Sequence, residues 1–276
     1  KMGGLFIKTG PLVQVKPRGT KSNVLNDYDP AVVYDGPLAV MVNENSASAS
    51  EIIAAALQDY HRAVIVGSNT TYGKGTVQNF YNLDDFVQPE QVKEESLGSI
   101  KITIQKYYRI NGGTTQLKGV TPDIILPDPY SLIADREQDD PNALGWDEIP
   151  AAQYETVKAA YSIATLKSKS EKRVSASSSF QLIKQESQDL KVRTDFSLYP
   201  LNFNKFSALQ KEWDINEKKY EAISADSNLV NIINLAVDLP KINSDSTAIA
   251  RNNQFIKNLK KDIYLNEVSQ MVVEMK

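Results

Sequence analysis

Apolar and polar positions alternate along Leu12-Val13-Gln14-Val15-Lys16, the pattern of a half-buried strand, until Pro17-Arg18-Gly19 breaks it. A loop is expected there, then the apolar residues Ala31-Val32-Val33-Tyr34 and a turn at Asp35-Gly36-Pro37. Leu38-Ala39-Val40-Met41-Val42 is apolar without interruption, which predicts a strand buried on both faces. After the small polar stretch from Asn43 to Ser50, helix formers run from Glu51 to Tyr60 with apolar residues at 52, 53, 56, 57 and 60. That spacing puts one face of a helix in a core. Ala63-Val64-Ile65-Val66 is a second apolar run, so strand, helix and strand form a βαβ crossover in a sheet with parallel strands. Such crossovers place sites at strand ends.

Further along, Thr76 to Phe80 reads as a strand and Gly98 to Ile110 as a long alternating one carrying Ile100, Ile102, Ile104 and Tyr107. Asn111-Gly112-Gly113 suits a hairpin turn, with Thr114 to Leu117 as its return arm, and the sheet is expected to end near Pro127. Asp128 to Pro150 is rich in Asp, Pro and Gly, and the remainder of the chain is mostly helix-forming. The expected division is therefore 1–127, a linker at 128–150, and a helical domain at 151–276. Helices are predicted at Tyr154–Leu166, Phe180–Val192, Phe206–Ile223 and Asn253–Lys276, with Ser175 to Ser179 as a polar helix stretch or turn. The fold class is α/β, a mixed sheet with a βαβ crossover followed by a mainly helical C-terminal domain.

Composition narrows the chemistry. The 276 residues hold 31 basic and 34 acidic side chains, and the near balance argues against a nucleic-acid partner held by phosphate neutralisation. With no cysteine and one histidine, His61, the chain has no disulfide, no thiolate metal site and no all-histidine metal site.

A nucleophile is suggested by Ser46, Ser48 and Ser50, which lie between a strand and a helix N-terminus, where backbone N–H groups and the helix dipole favour an oxyanion. The same residues also fit a capping box, Ser48 at the N-cap with Glu51 three positions on. His61 and Asp59 are excluded as bases for Ser48, because along a straight helix they stand about 20 Å and about 16 Å away. His61 is expected to be a solvated helix-end residue. The remaining base is Lys74, flanked by Gly73 and Gly75, although a Gly-Lys-Gly stretch also serves simply as a turn. A lysine base works as the free amine, which near neutrality requires burial to disfavour the ammonium. A phosphate-binding loop is rejected, since five residues rather than about four separate Gly67 from Gly73 and glycine follows the lysine.

Together, Asn45-Ser46-Ala47-Ser48-Ala49-Ser50-Glu51, Leu57-Gln58-Asp59-Tyr60, Arg62 to Gly67 and Tyr72-Gly73-Lys74-Gly75-Thr76-Val77-Gln78 resemble the C-terminal processing peptidases, or tail-specific proteases. Gly4-Leu5-Phe6-Ile7, Gly98 to Gly113 and Gly119 to Ile124 extend the likeness over nearly all of residues 1–127. The helical remainder is similar to the C-terminal domain of the longer, periplasmic branch. The resemblance implies a partial serine protease core in which Ser48 is the nucleophile, Lys74 the general base, Gln78 the residue orienting the lysine, and the Ala49 amide one oxyanion donor. It implies cleavage of proteins selected by apolar C-terminal tails, and a periplasmic or cell-envelope location. For Asp59 a structural role is expected. The family's PDZ domain and oxyanion glycine turn would precede Lys1, so a C-terminal fragment is expected, with membrane association only through such upstream segments. The loop Ser68 to Tyr72 is one residue longer than the usual family form. The alternative function is a peptide-binding or scaffold module without catalysis.

Overall fold

The computed structural model describes residues 2–87, 96–133, 135–224 and 230–276. Its strands lie in two sheets. Strands β1 (Gly10–Pro17), β2 (Asn23–Asp27), β5 (Thr76–Asn82) and β6 (Ser99–Tyr108) form a four-stranded antiparallel sheet in the order β2-β1-β6-β5. Strands β3 (Ala39–Val42), β4 (Val64–Gly67) and β7 (Ile124–Ile125) form a parallel one in the order β3-β4-β7, with helix α1 (Ala49–Asp59) as the crossover between the first two. The expected α/β architecture with a crossover and a helical continuation is present.

The chain divides into two compact units, one of residues 1–65, 69–122 and 135–159 and the other of 66–68, 123–134 and 160–276. The first has its core on α1: Ala54, Ala55 and Leu57 pack with Ile7, Val42, Ile65, Ile110 and Val120. The alanines let the helix approach the sheet closely, and Leu57 supplies apolar area at about 25 cal/mol per Å² of surface removed from water. In the second unit, α2 (Ile163–Ala176), α3 (Ser178–Asp195) and α7 (Ile263–Glu274) bury Leu166, Phe180, Ile183 and Met271. There Arg173 reaches both oxygens of Glu267 at 2.7 to 3.0 Å and pairs with Glu274 at 2.8 Å. The serine run is a helix junction, with Ser177 ending α2 and accepting from Phe180 N as the N-cap of α3. Helices α4 (Phe203–Lys218), α5 (Leu239–Ile242) and α6 (Ser246–Leu259) complete this unit.

Several local expectations are corrected. Val64, Ile65 and Val66 of β4 are buried, whereas Met41 of β3 is 44% exposed, because β3 is an outer strand of its sheet and β4 is the middle one. Thr114 to Leu117 is not a return strand. Arg109 N does donate to Gly113 O at 2.8 Å, but Gly113 then bridges to Glu148 and Thr114, Thr115 and Gln116 turn inward as buried polar residues. The helix expected from Tyr154 starts only at Ile163, capped by Ser162; before it Tyr154 stacks edge-on against Tyr60 and Val157 N donates to Tyr60 O. The C-terminal helix is broken in two, since the Asp262 carboxylate captures Tyr264 N and Leu265 N and starts α7 afresh. Strand β2 lies in the stretch expected to be loop.

Candidate active site

The chain leaves β3 through a turn in which Asn43 N donates to Ser46 Oγ at 3.1 Å and Ser46 N to Asn43 O at 3.0 Å. Ser48 follows as the N-cap of α1, with φ 56° and ψ −112°. A non-glycine residue held there costs on the order of 1–3 kcal/mol and persists only where its surroundings impose it. A strained serine between a strand and a helix has the geometry of a nucleophile elbow, which lifts the hydroxyl out of the turn. Ser48 and Glu51 do occupy the two capping-box positions. In that box the Glu51 carboxylate accepts from Ser48 N at 2.8 Å. Ala49 opens the helix and is exposed.

Lys74 lies between two glycines that are needed for different reasons. Gly73 has φ +93°, and a Cβ on Gly75 would stand 2.5 Å from Gln116 N. The segment is pinned through its backbone: Tyr72 N donates to Ser46 O at 3.0 Å and Gly75 N to Gln116 Oε1 at 2.8 Å. The Lys74 Nζ donates to Gln78 Oε1 at 3.2 Å, and Gln78 Nε2 lies 3.5 Å from Thr103 Oγ1 on β6. No hydrogen bond joins Lys74 Nζ to the Ser48 hydroxyl among the described residues.

The two backbones meet on Glu51. Its Oε2 accepts from Ser48 N at 2.8 Å and from Lys74 N at 3.0 Å, while Oε1 accepts from Thr71 Oγ1 at 2.5 Å and Gly73 N at 2.8 Å. Glu51 has no exposed surface. Burial pushes its carboxyl above the usual range, and the bonds from Thr71, Gly73, Ser48 and Lys74 pull back against that. Above the carboxylate, the Tyr107 hydroxyl donates to Lys74 O and lies 3.2 Å from Ser48 O and 3.5 Å from Glu51 Oε2. Burial, then the Glu51 charge, raises the phenol well above its ordinary value, so it remains a neutral donor.

Sequence reasoning places Glu51 only as a cap and Tyr107 only as a strand residue, and Thr71 not at all. The legible signal is a carboxylate at the start of an otherwise alanine-rich buried helix, where a charge requires donors. Asp59 lies away from the Ser48 end of α1, where it pairs with Arg109 at 2.5 Å and accepts from Asn111 Nδ2 at 3.0 Å. His61 is exposed, with φ 55° and its N–H on Gln58 O. Among the described residues no group of three or more His, Cys, Asp or Glu is arranged to hold a metal ion, and no helix is long and apolar enough to cross a membrane.

A strained N-cap serine and a glycine-flanked lysine thus bond through their amides to one buried carboxylate beside the crossover, and comparison with known proteins specifies the family. Residues 1–126 match peptidase family S41 and residues 131–276 match the C-terminal domain of tail specific protease. The chain belongs to peptidase family S41, in the group that carries the tail-specific protease C-terminal domain. A tail-specific protease of Haemophilus influenzae is 48% identical over 153 residues, covering 55% of this chain and 21% of that protein. A carboxy-terminal-processing protease of Bartonella bacilliformis is 35% identical over 127 residues, 45% of this chain and 26% of that one. The chain thus spans 21% and 26% of the length of these curated relatives. Among solved structures, the photosystem II D1 C-terminal processing protease matches with a TM-score of 0.37 at 30% identity, over 49% of this chain and 31% of that one.

Proposed function

We propose that the protein is a serine endopeptidase that cleaves proteins selected by apolar C-terminal tails, with Ser48 as nucleophile and Lys74 as general base. The observation that carries this reading is the shared carboxylate: Ser48, in a strained backbone, and Lys74 both donate their amides to Glu51 Oε2. In the reaction the Ser48 Oγ attacks the scissile carbonyl carbon as its proton passes to the Lys74 amine. The negative charge on the former carbonyl oxygen is met by the Ala49 N–H at the positive end of α1. Collapse of the intermediate breaks the C–N bond, and the Lys74 ammonium returns the proton to the leaving amine. A water, deprotonated by Lys74, then hydrolyses the ester and frees Ser48. Gln78 Oε1 accepts one lysine N–H, which orients the amine and leaves its lone pair for the proton. No metal or organic cofactor enters this scheme. The same reading assigns the protein to the periplasm or cell envelope, as the family resemblance implies.

The test uses the intact protein and a peptide with an apolar C-terminal tail. Ser48→Ala and Lys74→Ala are each expected to abolish cleavage while leaving the circular dichroism spectrum unchanged; turnover retained by either variant refutes the dyad. An acidic tail on the same peptide should slow cleavage, and equal rates for both tails would remove the proposed selectivity. Peptide binding without labelling of Ser48 by a serine-reactive probe would instead support the non-catalytic scaffold.

A further inference from the structure

Glu51 ties the serine turn to the lysine turn through their amides, and the carbonyls of the same two residues meet a second group. Lys74 sits between two glycines, which offer no side chains to brace it, and it arrives from a different loop than Ser48. We propose that Tyr107 is a positioning residue of the dyad, its hydroxyl on β6 hydrogen-bonding to the backbone carbonyls of Ser48 and Lys74 beside the carboxylate that holds their amides. This inference rests on the reading of Ser48 and Lys74 as nucleophile and base.

The geometry supports it in three ways. Tyr107 is 1% exposed, and a buried hydroxyl is costly unless it is hydrogen-bonded. Its oxygen stands among three acceptors, Lys74 O, Ser48 O and Glu51 Oε2, so its one proton lies mainly toward Lys74 O and is shared with Ser48 O. Finally, neither carbonyl depends on Tyr107 to be satisfied. Ser48 O also accepts Ile52 N at 3.0 Å, the first bond of α1, and Lys74 O also accepts Thr115 Oγ1 at 3.3 Å. Removing the phenol oxygen therefore leaves no orphaned backbone group, and a phenylalanine fills the same space. What such a change removes is the tie between the two turns through their carbonyls. Glu51, through their amides, and the Tyr72 N–H on Ser46 O then hold them.

The experiment is Tyr107→Phe in the intact protein, read by peptide hydrolysis and by labelling with a fluorophosphonate probe. A misplacement of about 1 Å between reacting groups costs on the order of 100-fold, so kcat is expected to fall about 10- to 100-fold with KM unchanged. The labelling rate constant should fall by the same factor, while the end-point stays at one probe per chain. A purely structural role would do the reverse, lowering the end-point through an inactive fraction while the remaining sites react at the normal rate, and that result would overturn the proposal. Wild-type kcat in Tyr107→Phe would also overturn it. If Tyr107→Phe does not fold, Thr115→Val removes the other donor to Lys74 O: a several-fold loss of kcat with full labelling supports the role of that carbonyl, and no loss counts against it. The two levels are separable. Should Tyr107→Phe be normal while Ser48→Ala and Lys74→Ala are dead, only the positioning role falls; should Ser48→Ala still turn over, both fall together.

Discussion

Replacing Glu51 by glutamine preserves size and shape and changes only what one terminal atom can do. Both carboxylate oxygens face donors: Thr71 Oγ1 and Gly73 N on one side, Ser48 N and Lys74 N on the other. An amide nitrogen in place of Oε2 confronts Ser48 N and Lys74 N with a third donor, whereas in place of Oε1 it confronts Gly73 N and the Thr71 hydroxyl can turn to accept it. In that better orientation one buried donor goes unsatisfied at about 1–3 kcal/mol, and the bonds from Ser48 N and Lys74 N lose their charge assistance at about 1 kcal/mol each. The expected destabilisation of Glu51→Gln is thus about 3–5 kcal/mol, a large part of the ~5–15 kcal/mol typical of a folded domain. Urea unfolding followed by circular dichroism measures it as a lower midpoint at unchanged slope. Burial works in the other direction, pushing the Glu51 carboxyl up. By linkage, a raised folded-state value means that this group's contribution to stability is largest below 4.5 and declines as pH rises through the folded-state pKa. Were the rise enough to keep the acid neutral at pH 7, glutamine would mimic it well. A Gln variant within about 1 kcal/mol of wild type at pH 7 would therefore refute an ionised clamp at Glu51.

Two further outcomes separate the site from its supports. Asp59→Ala leaves the largely buried Arg109 without its carboxylate and with Gln58 Oε1 as its remaining side-chain acceptor; removing one member of such a pair costs about 3–5 kcal/mol, while the labelling rate of Ser48 per folded molecule is expected to stay at the wild-type value. Thermal denaturation combined with probe titration checks both halves, and a slowed labelling rate at full end-point would give Asp59 a part in the chemistry. In the helical unit, burial pushes the Asp189 carboxyl up, but hydrogen bonds from Lys219, Tyr220 and Asn216 outweigh it and hold the group below its ordinary value of 3.8. A depressed value contributes stability above 3.8 that is lost as pH falls through the lower folded-state pKa. Asp189→Asn should accordingly melt below wild type at neutral pH, with the gap closing on acidification, and a gap independent of pH would contradict the assignment.

Of the fold, the parts that are legible are those written in short-range periodicity. The run Val64 to Val66 announces burial directly, and the helical spacing announces α1, where Ala56 and Leu57 are buried and Ile52 and Ile53 only partly so, because a strand or helix must hide one face whatever its neighbours are. The failures occur where one long-range contact outweighs the local preference. Tyr154 and its neighbours are adequate helix formers, but Tyr154 packs on Tyr60 and the backbone of Val157 is taken by the Tyr60 carbonyl. Likewise the continuous apolar run of β3 cannot reveal that β3 lies at the side of its sheet, since sheet order is not a property of any one strand.

By itself, the amino-acid order determined the crossover, the helical second half, the family to which the chain belongs and the residues Ser48, Lys74 and Gln78 as candidates. Only the tertiary structure decided that the amides of Ser48 and Lys74 share one oxygen of Glu51, and that the hydroxyl of Tyr107, 59 positions from Ser48, meets their carbonyls. The physical reason is range. Periodic burial is a local demand that each segment displays on its own, whereas a buried carboxylate or phenol is satisfied by donors and acceptors that become its neighbours only after the chain has folded.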